Sequence, residues 1–243
     1  IASGGNYNVV VGDEAGTAST TGDNNTAVGY SAGAAITTGE KNVTIGFNSG
    51  KLIDTGIQNV AVGSYSLDAN TTGDRNVAIG QSALGANTTA DENTAVGRSA
   101  LAANTTGATN TALGNQALDA NTTASDNVAI GSGSLGSNTT GASNTSVGTG
   151  ALNANTTAAN NAAMGYHALV ANTTGTENTA VGMNSSLGNT TGNYNAAFGK
   201  GALATNTTGS QNTAIGANSL QSATTADSNT GVGYYALQSN TTG

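Results

Sequence analysis

The sequence predicts an all-β protein, a parallel β-solenoid (β-roll) of fourteen 17-residue coils. Three observations lead to this prediction. A large apolar residue followed by Gly recurs at a constant interval of 17, with no insertion or deletion. The residues just before that Gly are rich in Val, Thr and Ala, and the β-branched ones among them favour strands. Charged residues make up only 7% of the chain and aromatic residues 4%, which indicates a regular repeat array instead of an ordinary globular domain.

Positions in the repeat are numbered from the recurring Gly, which is position 0 of its coil. Position −4 is Asn and position +9 is Thr in all fourteen copies, and position −1 is always apolar. Position +4 is Leu in ten copies, and position +7 is Asn in ten. The glycines at position 0 are Gly12, Gly29, Gly46, Gly63, Gly80, Gly97, Gly114, Gly131, Gly148, Gly165, Gly182, Gly199, Gly216 and Gly233.

The alternation of residue types predicts how each coil folds. We expect one strand over −4 to −1, a second over +3 to +7, and corners at position 0 and at the Gly or Ala of position +10. The apolar side chains at −1 and +4 would form an internal spine, and equivalent positions would stack about 4.8 Å apart. The Asn column at −4 would form a ladder of side-chain amides. That ladder comprises Asn8, Asn25, Asn42, Asn59, Asn76, Asn93, Asn110, Asn127, Asn144, Asn161, Asn178, Asn195, Asn212 and Asn229.

The column at position −2 predicts an oligomer. It holds Val10, Thr44, Ser146, Gly231 or Ala and never a charge, although the alternation places it on the outside of the coil. We interpret this small, uncharged column as a surface that another chain covers, and we expect a homotrimer. A monomer with a plain Ala face is the alternative that the sequence leaves open.

The core of the repeat resembles that of a known family. Asn76-Val77-Ala78-Ile79-Gly80-Gln81-Ser82-Ala83 and Asn127-Val128-Ala129-Ile130-Gly131 are similar to the head repeats of trimeric autotransporter adhesins, which carry a Ser-Val-Ala-Ile-Gly core. The whole unit also resembles repeat regions of phage tail fibres and of bacterial surface fibres. The resemblance covers all fourteen copies, with about five residues in each. It implies a left-handed β-roll, a tight homotrimer and a location at a cell or virion surface.

Composition argues against several classes of function. The net charge is −8 without any basic stripe, so we expect no nucleic-acid partner. No apolar run approaches the ~20 residues of a membrane span, and the chain has no Cys for disulfides or thiolate metal sites. The single histidine, His167, lies at a variable position, and we interpret acidic pairs such as Asp13-Glu14 and Asp91-Glu92 as solubility charges. We therefore expect no enzymatic activity, no metal site and no cofactor.

The Asn-Thr-Thr corner has two functional interpretations beside a purely structural one. Its Asn satisfies the N-x-[ST] glycosylation sequon and its Thr columns offer hydroxyls for O-glycans; alternatively, these side chains simply satisfy backbone groups of the corner. A regular Thr array on a flat solenoid can also bind ice, although adjacent Thr residues point to opposite sides of a strand. The candidate N-glycosylation sites are Asn70, Asn87, Asn104, Asn121, Asn138, Asn155, Asn172, Asn189, Asn206 and Asn240.

We treat residues 1–243 as a single tandem-repeat domain, with divergent first copies over 1–56 and regular copies over 57–243. In the first three copies Gly replaces Leu at +4, which indicates a cap, a junction or a binding region. Aromatic residues at +1 and +2 are candidates for glycan or surface contact: Tyr30, Phe47, Tyr65, Tyr166, Tyr234 and Tyr235.

These observations predict a structural subunit of an extracellular, cell-surface or virion fibre. We expect its partners to be further copies of itself, as a homotrimer and end to end in a filament, together with a cell-surface or glycan receptor to which the fibre adheres. The competing class is a ligand-binding solenoid that bears glycans or binds ice through its Thr and Asn array.

Overall fold

The computed structural model describes residues 5–241 and confirms an all-β parallel solenoid. Each coil contributes one three-residue strand, and residues 5–241 contain no helix, hence none that could cross a membrane. The chain divides into two compact units, one ending at Ser125 and the other beginning at Asp126. The ends of the domain predicted over 1–243, residues 1–4 and 242–243, lie outside the described residues.

The first unit contains seven strands, each paired in parallel with the next. Neighbouring strands are in register, so that Val77, Ala78 and Ile79 lie opposite the residues 17 positions later. The strands are β1 (Val9–Val11), β2 (Thr26–Val28), β3 (Val43–Ile45), β4 (Val60–Val62), β5 (Val77–Ile79), β6 (Thr94–Val96) and β7 (Thr111–Leu113).

The second unit repeats this arrangement with seven more parallel strands. Val128, for example, pairs with Thr145, again 17 residues later. The strands are β8 (Val128–Ile130), β9 (Thr145–Val147), β10 (Ala162–Met164), β11 (Thr179–Val181), β12 (Ala196–Phe198), β13 (Thr213–Ile215) and β14 (Thr230–Val232).

The prediction of a second strand over +3 to +7 is wrong. Residues at +2 and +4 take left-handed backbone angles, as in Gln116 (φ 54°) and Leu118 (φ 53°), and these angles turn the chain instead of extending it. Each coil therefore has one strand, over −3 to −1, and a series of turns that brings the chain back. The turns are held by hydrogen bonds between coils, such as that from the Leu101 amide to the Ala117 carbonyl, 3.0 Å.

The two sides of the strand are also the reverse of the prediction. Ala78, at position −2, is 0% exposed, whereas Ile79, at position −1, is 39% exposed. Alternation separates the two sets of side chains but does not determine which set faces inward. Leu at +4 on the returning chain fills the interior and leaves room only for small side chains at −2 and +3; Ala95, Ala100 and Leu101 are all fully buried.

The corner at position 0 requires glycine. Gly63 has φ 134°, and a Cβ atom on it would lie 2.7 Å from the backbone carbonyl of Gly80 in the next coil. A side chain is excluded both by the backbone conformation and by the close stacking of coils. This explains why the apolar-Gly signal recurs without exception.

Candidate functional site

The most distinctive surface is the outer sheet face, defined as the side chains at −3 and −1 of the strands. It carries Val, Thr or Ala at −3 and Val, Ile, Leu, Met or Phe at −1, and no charge in any of the fourteen coils. Leu113 in the first unit and Met164 in the second are 46% and 48% exposed. Large apolar side chains in regular columns on a surface indicate an interaction site more strongly than scattered ones do.

The Asn column at −4 lies inside the coils and links them. The Asn76 Nδ2 donates to the carbonyl of Ala90 at +10 of the same repeat (2.8 Å) and also to the Asn59 Oδ1 of the preceding coil (3.2 Å). The Asn76 backbone amide donates to the same Asn59 Oδ1 at 2.9 Å. In the second unit, Asn144 makes the equivalent bonds to Asn127 at 3.2 and 2.9 Å. The Asn side chains thus satisfy buried backbone groups, and their own buried amides are hydrogen-bonded in return.

The sequon Asn residues at +7 form a second internal ladder. The Asn87 Nδ2 donates to the Asn70 Oδ1 at 2.8 Å and to the Ala90 carbonyl at 3.0 Å, and both Asn side chains are fully buried. In the second unit the ladder stops where Ala223 replaces Asn, and the Asn206 Oδ1 has no hydrogen-bond partner there. N-glycosylation stays a prediction that the folded coil disfavours, since the nitrogen that would carry the glycan is buried and bonded.

The two Thr columns differ in their surroundings. The Thr88 hydroxyl at +8 donates to the Thr105 carbonyl of the next coil at 3.2 Å, and the same bond recurs along this column in both units. Thr at +9 is exposed in every coil that the structure describes at this position, as in Thr72 and Thr174. The Thr column at +9 is therefore the more exposed of the two, since Thr at +8 is half-buried in most of the described coils.

A column at +11 carries structural side chains that the sequence interpretation missed. The Asp74 Oδ1 accepts the Ile57 amide and the Asp91 Oδ1 accepts the Asp74 amide, both at 2.8 Å. The interpretation of Asp91 as a solubility charge stays a prediction, and its carboxylate in addition satisfies a backbone amide of the preceding coil. The recurrence of Asp, Asn or Ser at +11 was the available signal. Glu92 beside it forms an exposed ion pair with Arg75 at 3.0 Å, which contributes little stability.

Three aromatic rings of consecutive coils form a surface strip in the first unit, called the aromatic strip below. The Tyr30 and Phe47 ring centroids are 5.3 Å apart with an interplanar angle of 15°, and those of Phe47 and Tyr65 are also 5.3 Å apart, at 70°. The Glu14 carboxylate accepts a hydrogen bond from the Ser31 hydroxyl at 2.8 Å. Hydrogen bonds from Ser31 and then Tyr30 lower the pKa of Glu14, and the bond to Glu14 raises the pKa of Tyr30.

The remaining aromatic candidates lie in the second unit. Tyr166 stacks on His167 with centroids 3.8 Å apart, and Tyr234 contacts Tyr235 at 4.1 Å. His167 takes a left-handed backbone conformation on this surface (φ 54°). Across residues 5–241, no three acidic or histidine side chains cluster as ligands for a metal ion.

Comparison with known proteins adds no family to this description. No protein-family model, curated protein or solved structure matches the chain.

Proposed function

We propose that this chain is a structural fibre subunit whose copies associate through the outer sheet face, outside the cell or on a virion. The observation that carries the proposal is the exposed apolar column at −1. Leu113, Met164 and Ile215 are each more than 40% exposed in the single chain, at 46%, 48% and 43%. Burying such side chains against another copy stabilises the assembly by about 25 cal/mol per Å² of apolar surface.

The distribution of polar residues supports this choice of face. Every charged residue lies outside positions −3, −2 and −1, whereas positions +5, +11 and +12 carry acidic or basic side chains in several coils. Depletion of charge is the compositional mark of the buried centre of an interface. The sequence placed the surface that another chain covers at position −2, which lies inside the coil. We now place that surface at positions −3 and −1.

We propose three copies in the assembly. The outer sheet face is only one three-residue strand wide, with two outward side chains per coil. Three such narrow faces turned toward a common axis cover one another, and closed symmetry prevents lateral growth into aggregates. The trimer, its left-handed roll and a surface location are also what the resemblance of the Asn-Val-Ala-Ile-Gly core implies.

The mass of the particle in solution tests this proposal. Analytical ultracentrifugation of the intact chain is expected to give three times the chain mass of 23.3 kDa. Ile79→Asp and Leu113→Asp, both at −1, are expected to shift the mass toward the monomer, because an unpaired charge in an interface is costly. Thr72→Asp and Thr106→Asp, at the exposed +9 column, are the matched controls and are expected to leave the mass unchanged.

A monomeric wild type at micromolar concentration contradicts the proposal, as does equal dissociation by the −1 and +9 variants. Circular dichroism of each variant separates loss of association from loss of folding. Negative-stain microscopy then tests whether the assemblies join end to end as filaments.

Ice binding is the second candidate, favoured by the regularity of the exposed columns. The outer sheet face and the Thr column at +9 both present uncharged side chains in every coil, and Thr94, Thr111 and Thr179 add hydroxyls at −3. An ice-recrystallisation assay distinguishes the two candidates. Inhibition by a monomeric wild type, abolished by Ile79→Asp, supports ice binding against the fibre.

The proposed fibre has no catalytic step and no cofactor. His167 stacks on Tyr166 and lies at a variable position, which holds Ser, Asn, Gln, Gly, Tyr or Glu in other coils, so we assign it no role in proton transfer. Adhesion through a surface or glycan receptor is the second part of the proposal, and intact-mass measurement tests whether the chain itself bears glycans.

A further inference from the structure

The aromatic strip of Tyr30, Phe47 and Tyr65 is not required by the fold. Positions +1 and +2 hold polar side chains in other coils, such as Gln81 and Ser82, and those coils have the same backbone. Stacking of the coils therefore does not explain why three consecutive coils carry aromatic rings on the surface. An exposed aromatic group without a structural role is a candidate binding site.

The rings leave parts of their faces open. Carbon atoms in contact approach to about 3.5–4.0 Å, so nearly parallel rings with centroids 5.3 Å apart must be offset from each other. Tyr30, Phe47 and Tyr65 are 42%, 45% and 42% exposed. The negative face of an aromatic ring attracts weakly positive C–H groups, which line the faces of a pyranose sugar.

The spacing of the rings favours a chain over a single sugar. Both steps along the strip measure 5.3 Å between centroids. This distance is close to the advance per sugar in an extended β-1,4-linked polysaccharide. Because the Tyr30 and Phe47 planes differ by only 15° whereas Tyr65 is turned by 70°, successive sugars of such a chain would stack on the open faces of Tyr30 and Phe47 and meet the edge of Tyr65, while the chain runs in the direction in which the coils stack.

Charge at one end of the strip favours a neutral chain. Asp13 and Glu14 both act electrostatically on Tyr30, and the opposing cation that acts on Glu14 is Lys51. Carboxylates accept hydrogen bonds from sugar hydroxyls but repel uronate or sialate groups. Packing against Phe47 also orients the Tyr30 ring before binding, which reduces the entropy lost on binding.

We infer that the aromatic strip binds an uncharged, extended β-1,4-linked saccharide chain along Tyr30, Phe47 and Tyr65. The inference rests on the proposed fibre function, to which it adds the class of receptor that the fibre adheres to. It assigns the site to the first unit, in the divergent copies and the coil that follows them.

Isothermal titration calorimetry of the intact wild-type chain with defined hexasaccharides tests this inference. Cellohexaose or chitohexaose is expected to bind, whereas α-linked maltohexaose and anionic hexagalacturonate are expected to bind more weakly. Phe47→Leu keeps an apolar side chain but removes the central ring, and it is expected to weaken binding by about tenfold. Phe47→Tyr keeps a ring and is expected to retain binding, and Tyr166→Leu, in the other unit, is the control expected to change nothing.

Three outcomes overturn the inference: no heat of binding with either neutral β-1,4-linked probe at millimolar concentration, equal affinity of Phe47→Leu and wild type, or preference for maltohexaose or hexagalacturonate. Sedimentation of the same samples keeps the two proposals apart. Trimers that bind no saccharide refute only the inference, whereas monomers that bind cellohexaose refute only the proposed assembly.

Discussion

Ile53 occupies the space beside Gly50 that a leucine fills in the regular coils. Its Cδ1 atom lies 2.8 Å from the position that a Cβ atom on Gly50 would take, and the side chain of Thr44 approaches the same point. Ile53 and Thr44 are both fully buried. The third coil thus fills its interior with Thr at −2, Gly at +4 and Ile at +7, where the regular coils use Ala, Leu and Asn.

Converting the third coil to the regular pattern should therefore require three changes together. Gly50→Leu alone is expected to lower the free energy of unfolding by about 2 kcal/mol or more, because the new side chain overlaps Ile53 and Thr44. The triple variant Thr44→Ala/Gly50→Leu/Ile53→Asn is expected to return to within about 1 kcal/mol of the wild type. Denaturant unfolding measures the free energy of unfolding of the three single variants and of the triple variant. A triple-variant change equal to the sum of the single-variant changes would contradict this account of the packing.

The 17-residue repeat is predictable from the sequence. Which strand side chains point into the coil is not. The constant spacing of Gly63 and Gly80 specifies coil length, because an inserted residue would shift every stacked contact. The invariant Asn76 likewise indicated an amide ladder. However, alternation along a strand only divides its side chains into two sets on opposite faces. Which set lies inside depends on Leu67 at +4, whose returning turn was not recognisable because leucine rarely adopts a left-handed backbone (φ 50° here).

Ser186 is a natural defect in the leucine column of the second unit. It lies at +4 with the same left-handed conformation (φ 48°), and its buried hydroxyl has no hydrogen-bond partner. The coil nevertheless keeps the 17-residue length of its neighbours and their left-handed conformation at +4. Ser186→Leu is expected to stabilise the protein by about 1–2 kcal/mol, since it removes an unsatisfied polar group and buries apolar surface. Ser82→Leu, at the surface position +2, is the control for a general effect of added apolar area; a Ser186→Leu protein no more stable than this control would refute the explanation.

Asp119 gives the stability of the first unit a small dependence on pH. Its side chain is half-buried, and this burial raises its pKa, while the hydrogen bond from its own backbone amide partly opposes the shift. A carboxyl with a higher pKa in the folded state costs stability when it is ionised. That cost is present above the folded pKa and disappears as the pH falls toward the unfolded pKa.

Asp119→Asn is therefore expected to stabilise the chain at neutral pH by less than about 1 kcal/mol, because solvent screens a half-exposed charge. The difference from the wild type should vanish in acid. Thermal unfolding at pH 7 and at pH 3 measures it, and an advantage that is equal at both pH values would show that burial of the charge is not the cause.

The internal amide ladder should be sensitive to loss of a single rung. The Asn93 Oδ1 accepts the Asn110 backbone amide at 2.9 Å, and its Nδ2 donates to the Gly107 carbonyl at 2.9 Å. Asn93→Ala leaves both backbone groups buried without these partners and is expected to cost about 2–4 kcal/mol. Asn93→Asp restores an acceptor but buries a charge, so it is expected to be no more stable at neutral pH. Asn115→Ala, at the exposed position +1, should change stability by less than about 0.5 kcal/mol, and a similar loss at both sites would contradict a structural ladder.

The left-handed leucines predict an inversion of the usual order of alanine and glycine. Leu118 is fully buried with φ 53°, so Leu118→Ala is expected to cost about 2–5 kcal/mol through the cavity that it creates. Glycine normally destabilises a regular element by roughly 0.5–1 kcal/mol relative to alanine, but at positive φ alanine retains a strain of about 1–2 kcal/mol that glycine lacks. Leu118→Gly is therefore expected to be at least as stable as Leu118→Ala in denaturant unfolding.

The matched control is Ala95→Gly within β6, where the glycine variant should be less stable than the wild-type alanine. If glycine is the worse residue at both sites, backbone strain does not explain why the first three coils carry Gly16, Gly33 and Gly50 at this position, with φ of 53–54°.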